Sequence, residues 1–68
     1  MMQLAEFATQ LAEQIARERG WQLHDARAWV DYHLGEARKE YRARGAPLGD
    51  TDAGFLAWLQ PRRQPPIA

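Results

Sequence analysis

Ile15-Ala16-Arg17-Glu18-Arg19-Gly20-Trp21-Gln22-Leu23-His24-Asp25-Ala26-Arg27-Ala28-Trp29-Val30 is the stretch that decides the fold. Two amphipathic helical patterns meet in it at Gly20-Trp21. Glycine takes up a left-handed backbone at little cost and so ends helices, and Arg17 and Arg19 just before it complement the negative end of a helix dipole. Upstream, Leu4, Phe7, Leu11 and Ile15 recur at steps of three and four, which puts them on one face of a helix over residues 3–19. A second stripe, Ala5, Ala8, Ala12 and Ala16, runs beside the first. One ridge is large and the other small, the pattern of a helix with two packing neighbours, or simply of a sequence rich in alanine, the best helix former.

Downstream, Ala26, Val30, Leu34 (or His33), Ala37 and Tyr41 mark a longer helix over residues 23–44, with Trp29 on the shoulder of the stripe. Its length of about 22 residues corresponds to about 33 Å. Gln22 caps it imperfectly and Asp25 favours its first turn. Arg38, Lys39, Arg42 and Arg44 populate its last two turns before Gly45 stops it. Gly35 sits mid-helix, where it costs about 1 kcal/mol relative to Ala. It marks a close approach of another helix, or simple tolerance on a solvent face.

Ala46-Pro47-Leu48-Gly49 reads as a loop, because proline denies the preceding residue helical geometry. Asp50 or Thr51 can cap a short third helix that runs to about Gln60 and carries Phe55, Leu56, Trp58 and Leu59. Four large apolar residues in so short a segment must be covered, most simply by folding back on the hairpin. Pro61 should close the helix. Residues 61–68, with Arg62, Arg63 and Pro65-Pro66, read as an extended or disordered tail. The fold predicted is all-α: residues 1–60 form one domain, an antiparallel helical hairpin with a short third helix on its side. Two such hairpins are expected to dimerise into an assembly like a four-helix bundle.

The expectation of a partner comes from size and composition. Small chains bury a modest share of their surface and usually rely on disulfides, a metal or oligomerisation. This one has 68 residues and no cysteine, which excludes disulfides and thiolate zinc. It nevertheless has three Trp, two Tyr and two Phe, more ring surface than a few helices easily hide. Rings of this kind, with Arg, are enriched at protein interfaces. Net charge is zero, so nothing global draws the chain to nucleic acid or membrane. No apolar run approaches the length of about 20 residues that spans a bilayer. The opening Met1-Met2-Gln3-Leu4-Ala5-Glu6 lacks the features of a secretory signal, so the expected location is the cytoplasm.

Chemistry is sparsely represented. There is no serine, only Thr9 and Thr51 add hydroxyls to those of the tyrosines, and no glycine-rich phosphate loop occurs. His24 beside Asp25 or Asp31 is a pairing that chance supplies on any charged helix. No enzyme, cofactor or small-molecule substrate is expected. His33, Glu36 and Glu40 lie at i, i+3 and i+7, but one helix offers too few ligands for a metal. A half-buried His33 hydrogen-bonded to a neighbour is the better reading.

A DNA-reading helix-turn-helix would place Gln22, His24 and Arg27 at the start of its reading helix. Against it, Arg19 occupies a position that is usually apolar, Asp25 and Asp31 would face phosphates, and both helices are too long. Residues 1–35 also carry five acidic groups against three basic ones. The function expected is therefore that of a small regulator, of the kind found among bacterial or phage inhibitors, that occludes a larger protein partner. Tyr32, Arg38, Tyr41, Arg42 and Trp58 are the expected anchors. A DNA-binding regulator and a structural or assembly subunit are the alternatives. On this reading Gly20-Trp21 is a hairpin bend, with Trp21 plugging its apolar end.

Overall fold

The computed structural model describes residues 3–63, in which three helices follow one another: α1 (Leu4–Arg19), α2 (Leu23–Ala43) and α3 (Asp52–Arg63). No strand occurs among the described residues. The bend between α1 and α2 follows from Gly20, whose φ of 69° is open to glycine at little cost. The N–H groups of Gly20 and Trp21 both donate to the Ala16 carbonyl, so the end of α1 is satisfied as the chain reverses. Gln3 and Gln22 begin α1 and α2 without a side-chain cap.

Both neighbours implied by the two ridges of α1 lie within this chain. Ala8 and Ala12, with Ile15, pack against Ala26 and Val30 of α2 in one buried cluster. The small side chains let the two backbones approach closely. Leu4 and Phe7, from the large ridge, pack instead against a second cluster of Tyr41, Phe55 and Leu59. Leu34 touches both clusters and joins them. Ala5 is exposed and takes no part. Gly35 is also exposed, and among the described residues no atom lies within 4 Å of the place a Cβ would occupy, so none of the three helices packs closely on it.

The second cluster is held by one buried side chain. Tyr41 is fully buried, and its hydroxyl donates to the Gly49 carbonyl at 2.6 Å while accepting from the Leu48 N–H at 3.0 Å. Its ring lies 5.6 Å from that of Phe55 and 5.1 Å from that of Trp58. The chain reaches this point because α2 stops cleanly. Gly45 at φ 87° donates to the Arg42 carbonyl, and Ala46 donates to that of Tyr41. Ala46 then takes φ 45°, a left-handed conformation uncommon for a residue with a Cβ.

Thr51 caps α3, its Oγ1 accepting from the Gly54 N–H at 3.0 Å. Gly54 itself lies against the loop: a Cβ there would collide with the Leu48 carbonyl and stand 2.6 Å from that of Gly49. Helix α3 thus crosses the open end of the hairpin, pressed on the loop that delivers it.

One boundary differs from expectation. α3 does not close at Gln60 but continues through Pro61 to Arg63. Proline lacks an N–H and crowds the carbonyl four residues back. In the last turn of a helix that penalty falls on a single bond, and the helix accommodates it. The remainder of the expected tail, residues 64–68, lies outside the described residues.

Two glycines should respond in opposite directions to the same substitution. Gly54→Ala forces a methyl into backbone, at a cost of about 1–3 kcal/mol that outweighs the gain in helix propensity. Gly35→Ala meets open space and should stabilise by about 0.5–1 kcal/mol. Urea unfolding of the two variants beside the parent checks both signs. Tyr41→Phe keeps the rings but strands the Leu48 N–H and the Gly49 carbonyl, and should cost about 1–3 kcal/mol in the same measurement.

Candidate functional site

The five anchors expected from the sequence fall into two groups. Tyr41 is a core residue, fully buried with its hydroxyl engaged, and does not present itself to a partner. The helical stripe had placed it correctly, and its aromatic character suggested an interface role that burial overrides. Trp58 is half-buried against Tyr41 and lies 6.2 Å from the ring of Phe55. Arg38 keeps 18% of its side chain exposed; its Nη1 donates to Asp52 at 3.0 Å and its Nη2 lies 3.5 Å from Asp50. Its guanidinium carbon also lies 5.0 Å from the centre of the Phe55 ring. Arg42 Nε donates to Asp50 at 3.1 Å. These four residues fasten the loop and α3 to α2. Only Tyr32, 65% exposed, stands clear of the fold.

The electrostatics of this fastening are one-sided. The hydrogen bond from Arg42, with Arg38 adding to it, holds the Asp50 carboxyl below its ordinary value. The hydrogen bond to Asp52 raises Arg38 further above its already high value, against the opposing effect of burial. Arg38 Nε is buried with no hydrogen-bond partner, a cost accepted within an otherwise paired group.

At the opposite end, around the hairpin bend, the rings are open. Trp21 is 37% exposed and meets Trp29 edge to face, centroids 6.2 Å apart. Trp29 lies 4.0 Å from the His33 ring, which in turn meets Tyr32 at 5.3 Å. Arg19 stands over Trp21 at 5.6 Å. Trp21 therefore does not plug the bend as expected; it lies on its outside, continuous with three further rings of α2. His33 departs from expectation too, being exposed and stacked on rings rather than half-buried and hydrogen-bonded. Trp29, Tyr32 and His33 stand at i, i+3 and i+4, the spacing that brings helical side chains together. That spacing is present in the sequence and could have flagged the strip.

Other candidate residues are engaged singly. Glu36 pairs with Lys39 and Glu40 with Arg44, which draws both away from His33. Among the described residues no group of three or more His, Asp or Glu comes together as metal ligands do. Of the expected DNA-reading set, Arg27 donates to Asp31 and to Thr9 Oγ1, both at 2.9 Å, which ties α2 to α1. His24 lies 3.2 Å from Asp25, and Gln22 is exposed. Among the described residues no helix is long and apolar enough to cross a membrane.

Two shallow grooves flank the α1–α2 seam. One, of about 370 Å³, is lined by Phe7, Leu11, Ile15 and Trp29 together with the polar Gln14, Glu18, Arg19 and Gln60. The other is lined by Thr9, Ala12, Leu23, His24 and Arg27, with Leu23 exposed beside it.

The fold is a helical hairpin with a third helix packed against it and a row of neighbouring rings near the bend. No known protein family, curated protein or solved structure matches the chain.

The lowered Asp50 carboxyl has a definite consequence with pH. Its folded form releases the proton more readily than the unfolded chain does, so the pairing contributes fully above about pH 4 and is lost as pH falls below it. Thermal melts from pH 6 to pH 2.5 should show a decline in melting temperature at the acid end. Asp50→Asn should make that decline shallower; an unchanged acid limb would show that the pairing does not contribute.

Proposed function

We propose that this chain is a small, non-enzymatic regulator that acts by binding a larger protein, with the aromatic strip Trp21–Trp29–His33–Tyr32 as its contact surface. The observation that carries the reading is the exposure of Tyr32 and Trp21 in a molecule that buries Tyr41 and Phe55. A chain with so few core residues gains by covering rings, yet Tyr32 stays largely in water and Trp21 partly so. Tyr and Trp are the residues from which interface hot spots are most often built. The flanking Arg19 supplies a charged neighbour of the kind found at the rim of such anchors. The mechanism is occlusion: the strip covers a surface that the partner needs, and no bond is made or broken. The cytoplasm is the compartment proposed.

Compared with the anchors read from the sequence, the contact surface moves along α2. Arg38, Tyr41, Arg42 and Trp58 serve the fold at one end, and Tyr32 is joined by the rings at the other. The DNA-binding alternative is weaker, because Arg27 is committed to Asp31 and Thr9, and His24 lies beside Asp25. A homodimer has one feature in its favour, the groove beside the exposed Leu23.

Affinity capture from the native cell, repeated with Tyr32→Ala and Trp21→Ala, tests the reading. Truncating a hot-spot ring costs a complex about 2 kcal/mol or more, close to a thirtyfold loss of affinity. Folding stability should change by no more than about 0.5 kcal/mol for Tyr32→Ala, as at other exposed positions. A partner retained equally by both variants, or lost equally with the control Arg44→Ala, would sink the proposal. Light scattering on the same preparation reads the oligomeric state, and the monomer mass of 7.8 kDa at tens of micromolar would remove the dimer.

A further inference from the structure

We infer that the face of α2 centred on Gly35 is a self-association surface, on which α2 of a second copy of this chain lies antiparallel. The inference concerns another side of α2 from the stacked Trp29 and His33 and does not depend on the binding of a larger partner.

The first support is the space at Gly35. This residue stands in the middle of a helix of 21 residues, exposed, with no described atom within 4 Å of the place a Cβ would occupy. Glycine there costs the helix about 1 kcal/mol relative to alanine, and no contact among the described residues offsets it. Two helices that meet at glycine can bring their axes to about 8 Å, the near end of the usual range. Beside Gly35 a groove of about 350 Å³ runs between α2 and the start of α1, with Ala5, Ala8 and Leu34 in its lining. Room for the side chains of a second helix therefore extends to the α1 side.

The second support is the order of charge. Residues three, four and seven places from Gly35 share its face. Before it these are Ala28, Asp31 and Tyr32, and after it Arg38, Lys39 and Arg42. The carboxylate and the ring thus lie on the N-terminal half of the face, and the cations on the C-terminal half. A copy turned about a two-fold axis at Gly35 sets each half against the other. Tyr32 then meets Arg38 of the second copy, Asp31 meets Lys39, and the small Ala28 meets the long Arg42. Every contact occurs twice. A parallel copy would instead set Asp31 against Asp31 and cation against cation, so charge selects the antiparallel arrangement.

The third support is availability. Tyr32 is exposed, and the side chains of Lys39 and Asp31 keep 79% and 57% of their surface in solvent. Lys39 has Glu36 for company only at 3.6 Å. The other surface open to a second copy, the groove beside Leu23, has Arg27 and His24 in its lining and no carboxylate, so it lacks this self-complementary order. Tyr32 lies at the edge of the paired helices, and Trp21, Trp29 and His33 remain open in the dimer.

Sedimentation equilibrium of the full chain at tens of micromolar tests the inference. The parent is expected as a dimer. Gly35→Leu is expected as a monomer that keeps its helix content by circular dichroism, since leucine is the better helix former. Asp31→Lys and Lys39→Asp should each weaken the dimer about tenfold, because two attractive pairs become repulsive. Mixed in equal amounts, those two variants should associate as tightly as the parent, since each supplies the charge the other has lost. A monomeric parent overturns the inference. So does a dimer that survives Gly35→Leu, or a mixture that associates no better than either charge variant alone.

Discussion

The Tyr41 hydroxyl stands between the Leu48 N–H and the Gly49 carbonyl, and most of the architecture beyond the hairpin follows from that position. A loop that leaves a helix must satisfy its backbone polar groups before anything can be packed over it. Here one phenol satisfies two of them and fills the space beneath. With the loop so closed, Thr51 begins α3, Gly54 can lie on the Leu48 and Gly49 carbonyls, and Phe55 meets the Tyr41 ring. The Arg38 and Arg42 pairs with Asp50 and Asp52 lie outside this arrangement and reinforce it at the surface. In a chain with no cysteine and a small core, a single side chain does the work of a covalent staple.

Features set by near neighbours in the chain were legible from the sequence. Helical periodicity marks α1 and α2, Gly20 and Gly45 mark where they end, and Asp50 or Thr51 marks the start of α3, with Thr51 the residue that caps it. The two ridges of α1 announce two neighbours, which prove to be α2 and α3. What escaped depends on separations that no local pattern encodes. The partners of Tyr41 are seven and eight residues on, and those of Arg38 are twelve and fourteen residues on. From the sequence alone, arginines in the last turns of a helix read as dipole complement or as interface anchors. Gly54 resembles any helix-weakening glycine until the loop beneath it is known. Pro61 signals a stop that one lost bond near a helix end does not enforce.

The candidate site was partly legible for a related reason. Aromatic residues carry two opposed messages, burial and contact, and composition cannot divide them. Periodicity can: Tyr41 falls on the apolar stripe, while Tyr32 falls off it. The geometry then assigns the two ends of the molecule different tasks. At the α3 end rings are enclosed and charges paired, whereas at the bend rings are stacked on one another and open. Residues at the bend can therefore vary without disturbing the loop closure.

Among the described residues Leu34 is the apolar side chain shared by both buried clusters. A core joined at so narrow a point behaves as two cooperative units rather than one. The hairpin, with its alanine seam, can persist while the loop and α3 lift away together, because most of what that motion breaks lies on one side of Leu34. Amide protons of α3 would then exchange with solvent through a sub-global opening, whereas those around Ala12 and Val30 would wait for the whole chain to unfold. Such an opening would present Phe55, Leu56 and Leu59 to solvent, a hydrophobic surface that the closed molecule keeps in reserve.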